Sequence, residues 1–185
     1  MADLTTNQKV AAGSAVGLSA GALALAAVFI PHWESGGHMD TTVKHQSFDP
    51  PGVYTVCDGI TNLDEDFKWI RPGMVFTTDQ CVKGFQKILP KYIEPIAKCI
   101  PTYYSMPQHR QVAVLSFGYN LGTGVICGDS RHSGSISREF NAGHVSVACK
   151  LMGEYVSANH KVLNGLEHRR FDPKWGEISW CLKDD

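Results

Sequence analysis

The chain has 185 residues, with 17 basic against 18 acidic side chains and six cysteines. This length supports one domain with a real core, and the balanced charge gives no reason to expect a nucleic-acid partner. The cysteines at 57, 81, 99, 127, 149 and 181 lack the close spacing of a zinc site, and the eight histidines are scattered, so neither metal nor cofactor is expected.

An even, dispersed set of cysteines fits disulfides formed in an oxidising compartment. Six buried free thiols in a cytosolic protein are the alternative reading. Cys99 with Cys127 and Cys149 with Cys181 are the expected pairs, because each brackets adjoining helices.

Residues 10–30, Val10 to Ile30, carry no charge and follow Lys9. About twenty helical residues cross the roughly 30 Å of hydrocarbon in a bilayer. Ala, Gly and Ser dominate the segment, and each contributes little transfer energy compared with Leu or Phe. The expectation is a weak membrane segment that leaves the bilayer when the membrane potential collapses. Lys9 gives a faint positive-inside bias, favouring an exported body. A cleaved signal peptide and a buried Ala-rich core helix are the other readings of these residues. The domain plan is therefore a membrane segment at 1–31 and a globular body at 32–185.

From His32 to Gly37 a short polar connector is predicted. His45 to Thr61 is rich in Val, Tyr, Thr and Gly around Asp49-Pro50-Pro51-Gly52, which predicts a hairpin. A polar loop follows to Gly73. Thr78 is the predicted N-cap of a helix in which Val82, Phe85 and Leu89 share one face. Pro90 and Pro95 limit the helices after it. Gln108 to Leu121 is the most apolar soluble stretch and the predicted central helix, ended by Gly122-Thr123-Gly124. Ser135 to Asn141, Val145 to Tyr155 and Lys161 to Arg170 are three further short helices. The fold class is α+β and mostly helical, a small N-terminal sheet followed by a helical lobe.

Hydrolysing a glycosidic bond needs an acid for the leaving oxygen and a carboxylate to activate water or bear developing charge. Glu34 and Asp49 are candidates, with Thr55 six residues beyond Asp49 to hold a water. On the residues alone, solvated surface roles for both carboxylates stay open.

Trp33-Glu34-Ser35-Gly36, the run from Asp49 to Gly59, and Ser116-Phe117-Gly118-Tyr119-Asn120-Leu121-Gly122 resemble the phage-type lysozymes, family 24 of the glycoside hydrolases. Thr77-Thr78-Asp79-Gln80-Cys81, Asn141-Ala142-Gly143, Ala148-Cys149 and Gly165-Leu166-Glu167-His168-Arg169-Arg170 follow in the family's order. The likeness spans essentially the whole chain after residue 32. It implies a lysozyme-like fold and an endolysin, a muramidase cutting the β-1,4 bond between N-acetylmuramic acid and N-acetylglucosamine in peptidoglycan during host lysis. Glu34 is then the general acid, Asp49 the second carboxylate and Thr55 the residue placing water. Asn120 and Arg169 are the expected substrate contacts.

The weak N-terminal segment is similar to the signal-anchor-release sequences of some of these endolysins. That likeness implies a latent enzyme tethered at the periplasmic face of the host inner membrane, then released to the periplasm as a monomer. Because Glu34 lies four residues after Ile30, a spanning segment would pin the acid at the lipid surface. Release is expected to let residues 10–30 refold against the body.

The sequence departs from the family pattern at several points. Fourteen residues separate Glu34 from Asp49, a longer interval than usual, which makes Asp40 a fallback for the acid. Ile60 stands where many relatives carry His. No Cys precedes residue 57, so a disulfide cage around Glu34 is not expected. A lytic transglycosylase and an inactive, membrane-anchored peptidoglycan-binding protein are the rival functions; the Asp49/Thr55 pair speaks against the first, and the intact trio against the second.

Overall fold

The computed structural model describes residues 18–36, 40–45, 50–158 and 160–183. The first element is helix α1, Ala20–Ser35. Ser19 caps it by accepting the Ala22 N–H at 3.1 Å, and Gly36 closes it in the left-handed region at φ 66°, its N–H returning to the Pro31 carbonyl. Ala22, Ala26, Phe29 and Ile30 are fully buried, one helical face directed at the core.

α1 is therefore a core helix in this structure, and it runs through residues 31 and 32. The segment His32–Ser35, expected as a polar connector, is its last turn. Pro31 removes one backbone donor, but docking of the next residues compensates. The His32 ring stacks on Trp175 at 4.5 Å, and the Trp33 indole N–H donates to the Trp175 carbonyl at 3.0 Å. Phe29 packs on Trp180 with ring centroids 4.2 Å apart. Of the expected membrane segment, residues 10–17 lie outside the described residues. No helix among the described residues is long and apolar enough to cross a membrane.

Two hairpins make up the sheet content of the described residues. β1, Thr55–Val56, pairs antiparallel with β2, Ile60–Thr61. β3, Ser157–Ala158, pairs with β4, Lys161–Val162. Upstream of β1, Lys44 and Thr55 exchange backbone bonds of 2.8 and 3.0 Å, after a turn in which Val53 N–H donates to the Pro50 carbonyl at 3.0 Å. Around the predicted turn the pairing amounts to that one bridge, and the ladder proper, β1–β2, turns instead at Cys57-Asp58-Gly59.

α2, Thr78–Ile88, starts one residue earlier than predicted: Thr77 is the N-cap, in a capping box with Gln80. It passes through Leu89 into α3, Pro90–Cys99, where Pro90 occupies the first turn and lacks nothing. α4, Gln108–Leu121, matches the predicted central helix and is buried continuously from Gln111 to Gly118. Around it stand α5, Gly124–Cys127, α6, Ser135–Asn141, and α7, Val145–Leu151. The helix expected from Lys161 starts later, as α8, Asn164–Phe171, because Lys161 and Val162 pair in β4. α9, Glu177–Leu182, was not anticipated; it packs against α4.

Three disulfides tie these layers together: Cys57–Cys81 joins the hairpin to α2, Cys99–Cys127 joins α3 to α5, and Cys149–Cys181 joins α7 to α9. The two expected pairs are present. The architecture is mostly helical with a small sheet, as predicted.

Candidate active site

Glu34 stands in the last turn of α1, its side chain 27% exposed. The carbonyl end of a helix is an unfavourable place for negative charge. Arg169, from α8, answers it: Nη1 donates to Glu34 Oε1 at 2.5 Å. The Arg169 side chain is itself buried and tightly held. Nε donates to Glu177 Oε1 at 3.0 Å, and Nη2 donates to the Ser116 carbonyl at 3.2 Å.

Glu177, fully buried on α9, anchors this network. Its carboxylate also accepts Ser116 Oγ at 2.6 Å and pairs with Arg170. Arg170 lies 4.6 Å over the Phe117 ring and donates to Asn120 Oδ1 at 2.8 Å. Burial works against both guanidinium charges; at Arg169, Glu177 and Glu34 more than offset it, while at Arg170 burial prevails. Arg169 and Asn120 were expected at the substrate; here Arg169 serves Glu34, and the Asn120 side chain is engaged by Arg170.

Thr55 is buried on β1, held by its backbone between Lys44 and Thr61. Asp49 lies outside the described residues. Asp40, the fallback acid, forms an ion pair with Lys44. Ile60 is fully buried where its side chain meets the small Gly84 on α2.

Sequence reasoning missed Asp58, which faces the acid. Asp58 Oδ2 lies 3.0 Å from Ser35 Oγ, within hydrogen-bond distance, and Oδ1 accepts the Asp40 N–H at 3.2 Å. Tyr119 on α4 donates its hydroxyl to the Asp58 carbonyl at 2.8 Å. Burial pushes the Asp58 carboxyl above the usual range, with Glu34 and Asp40 adding to the push and its two hydrogen bonds opposing it. The Tyr119 phenol is also raised, chiefly by burial. Tyr92 packs on Tyr119 at 4.9 Å, and Glu34 contributes to the raised pKa of both phenols, so the acid shares its surroundings with two aromatic hydroxyls. The available signal was the Asp58-Gly59 pair, taken only as the end of the run from Asp49 to Gly59 that carries the family resemblance.

The site thus presents one carboxyl, Glu34, fixed through Oε1 by a buried arginine, beside a hairpin carrying Thr55. Such an arrangement can offer a carboxyl of set orientation to a bound acceptor oxygen. Among the described residues no group of His, Cys, Asp and Glu could hold a metal ion.

The family described as phage lysozyme matches residues 37–172. The SAR-endolysin of bacteriophage PS119 is 30% identical over 156 residues, covering 83% of this chain and 84% of its own length. Among solved structures, the muramidase domain of SpmX from Asticaccaulis excentricus superposes with a TM-score of 0.67 at 21% identity, covering 91% of this chain and 99% of that domain. A P22 lysozyme variant gives 0.68 at 17% identity, over 90% of this chain and 98% of its own. At these identities the two structures speak for the fold alone.

Proposed function

Because the chain belongs to the phage lysozyme family, a family of glycoside hydrolases acting on peptidoglycan, we propose that it is an endolysin that hydrolyses the muramic acid–glucosamine linkage. Glu34 protonates the leaving oxygen, Asp49 assists water or stabilises the oxocarbenium-like transition state, and Thr55 holds that water. Arg169 and Asn120 act behind them: Arg169 fixes the orientation of Glu34, and Asn120 steadies Arg170. The observation that carries this reading is the Arg169–Glu34 pair, which holds an acid at the end of α1, where Ser35 meets the turn that follows the Thr55 strand.

The test is mass analysis of fragments released from purified murein. Wild type should yield reducing ends that have gained water, and Glu34→Gln should yield none. Anhydro products would instead identify a lytic transglycosylase, and no products from wild type an inactive binding protein.

The second part of the proposal is latency. Residues 10–30 first tether the enzyme in the inner membrane with its body in the periplasm. On release its residues 20–30 dock on the body as the first part of α1 and carry Glu34 into place. Support comes from the Ala/Gly composition, from the SAR-endolysin relatives, and from Glu34 lying on the helix that contains the C-terminal half of the segment. The full chain should fractionate with membranes until depolarisation and with the soluble periplasm afterwards. Full lysis from a chain carrying a Leu-rich anchor in place of residues 10–30 would overturn latency by tethering.

A further inference from the structure

We infer that Asp58 is a positioning residue for Glu34: its carboxyl clamps the end of α1 to the β1–β2 turn and to the segment beginning at Asp40. The inference rests on Glu34 being the acid proposed above.

Three observations carry it. First, Asp58 and Cys57 both lie in the left-handed region, at φ 57° and 51°, a conformation that costs free energy for any residue with a Cβ. Such a turn persists only when its surroundings hold it. Here the Cys57–Cys81 disulfide and the Tyr119 hydroxyl on the Asp58 carbonyl do so. Second, the carboxyl thus aimed engages Ser35, the residue next to Glu34, with one oxygen and the Asp40 backbone with the other. One side chain therefore joins three separate segments around the acid.

The third observation is a count of protons. Ser35 Oγ lies 3.0 Å from Asp58 Oδ2 and 3.0 Å from the Pro31 carbonyl, yet a hydroxyl has one proton to give. If Asp58 is protonated, Oδ2–H donates to Ser35 Oγ, Ser35 donates to Pro31, and Oδ1 still accepts from Asp40. All the bonds form together. If Asp58 is ionised, the Ser35 proton must turn to the carboxylate and leave the Pro31 carbonyl. The clamp on the last turn of α1 is therefore complete in the acid form.

The groups around Asp58 fit this. Glu34 on α1 and Asp40 ahead of the hairpin are both anionic when ionised, and Tyr119 on α4 is neutral. The neighbouring cations, Arg169 and Lys44, are paired with Glu34 and Asp40. Burial favours the same neutral state and outweighs the hydrogen bonds from Asp40 and Ser35, which favour the ionised one.

An amide reproduces the neutral acid: in Asp58→Asn the side-chain oxygen accepts from Asp40 and the NH2 donates to Ser35 Oγ. The experiment measures kcat and KM of the full-length protein on soluble murein across pH. Asp58→Ala and Ser35→Ala should each lower kcat by roughly ten- to a hundredfold with little change in KM, since a small misplacement of the acid has effects of that order. The double variant should lose less than the two single losses combined, because both break the Ser35–Asp58 bond. Asp58→Asn should recover most of the lost kcat and retain it at pH values where the wild type declines.

Wild-type kcat in either alanine variant would overturn the inference. So would additive losses, or a folded Asp58→Asn as slow as Asp58→Ala. Should Asp58→Ala fail to fold, Ser35→Ala leaves the turn intact and decides alone. Activity retained by Glu34→Gln defeats the proposed function; an inert Glu34→Gln beside wild-type-like alanine variants defeats this inference only.

Discussion

Replacing Glu177 by Gln tests how the site is held. Glu177 is fully buried and accepts from Ser116, Arg169 and Arg170, whose side chains are 5% and 0% exposed for the two arginines. The amide keeps the volume but removes the charge, and its NH2 meets a guanidinium donor or the Ser116 hydroxyl proton. Breaking a buried ion pair from one side costs about 3–5 kcal/mol, because the partner charge stays buried and uncompensated. The Ser116 hydroxyl adds roughly 1 kcal/mol for its lost acceptor. In a chain of this size each kcal/mol moves the melting temperature by about 2–4 °C, so a fall of roughly 8–24 °C is expected by calorimetry at neutral pH. The exposed pair His144–Glu139, with side chains 63% and 33% accessible, is the internal control. Glu139→Gln should shift the melt by no more than about 2 °C. If the two variants melt together, the buried network does not stabilise this fold and the reasoning fails.

Three further outcomes follow from the same structure. Ala26→Leu should destabilise by about 1–3 kcal/mol in urea titrations through overpacking, whereas Ala27→Leu should cost little, since Ala27 lines an open apolar groove of about 230 Å³ between α1 and α2. Converting Cys99 and Cys127 to Ser opens a loop spanning 28 residues and should cost about 3–4 kcal/mol at 25 °C, measured the same way. Asp58 gives a pH signature. Its folded pKa is raised, so its contribution to stability is present below the unfolded value and lost as pH rises through the folded one. The melting temperature of Asp58→Asn relative to wild type should therefore climb as pH rises above about 4, the ordinary value of an unfolded Asp carboxyl; a flat or falling difference contradicts the assigned burial.

Much of the helical body was legible because its signals are local. α4 was bounded correctly since an apolar run between Pro107 and Gly122 leaves no other frame, and α6 likewise between Gly134 and Ala142. α9 has six residues, too few for a periodic pattern, and is defined by what Trp180 and Glu177 touch. The end of α1 was missed because Pro31 reads as a helix stop; its continuation depends on Trp175, more than a hundred residues away. Glu34 carried no signal of its own and was found through the resemblance of its surroundings. Asp58 was invisible for a related reason: an Asp before Gly says turn, and nothing local says that the carboxyl will meet Ser35. The position of Asp49, outside the described residues, leaves its role where the sequence put it.

The two sides of α1 answer to different demands. Ala22 and Ala26 abut the core with no accessible surface, so that flank tolerates nothing larger. Ala20, Ala24 and Val28 form the opposite, exposed stripe at four-residue spacing. Under the proposed tether, selection can adjust how long the helix lingers in lipid by changing the outer stripe alone. The timing of lysis would then be set on one flank of a single helix and the chemistry on the other, each free to evolve without disturbing its neighbour.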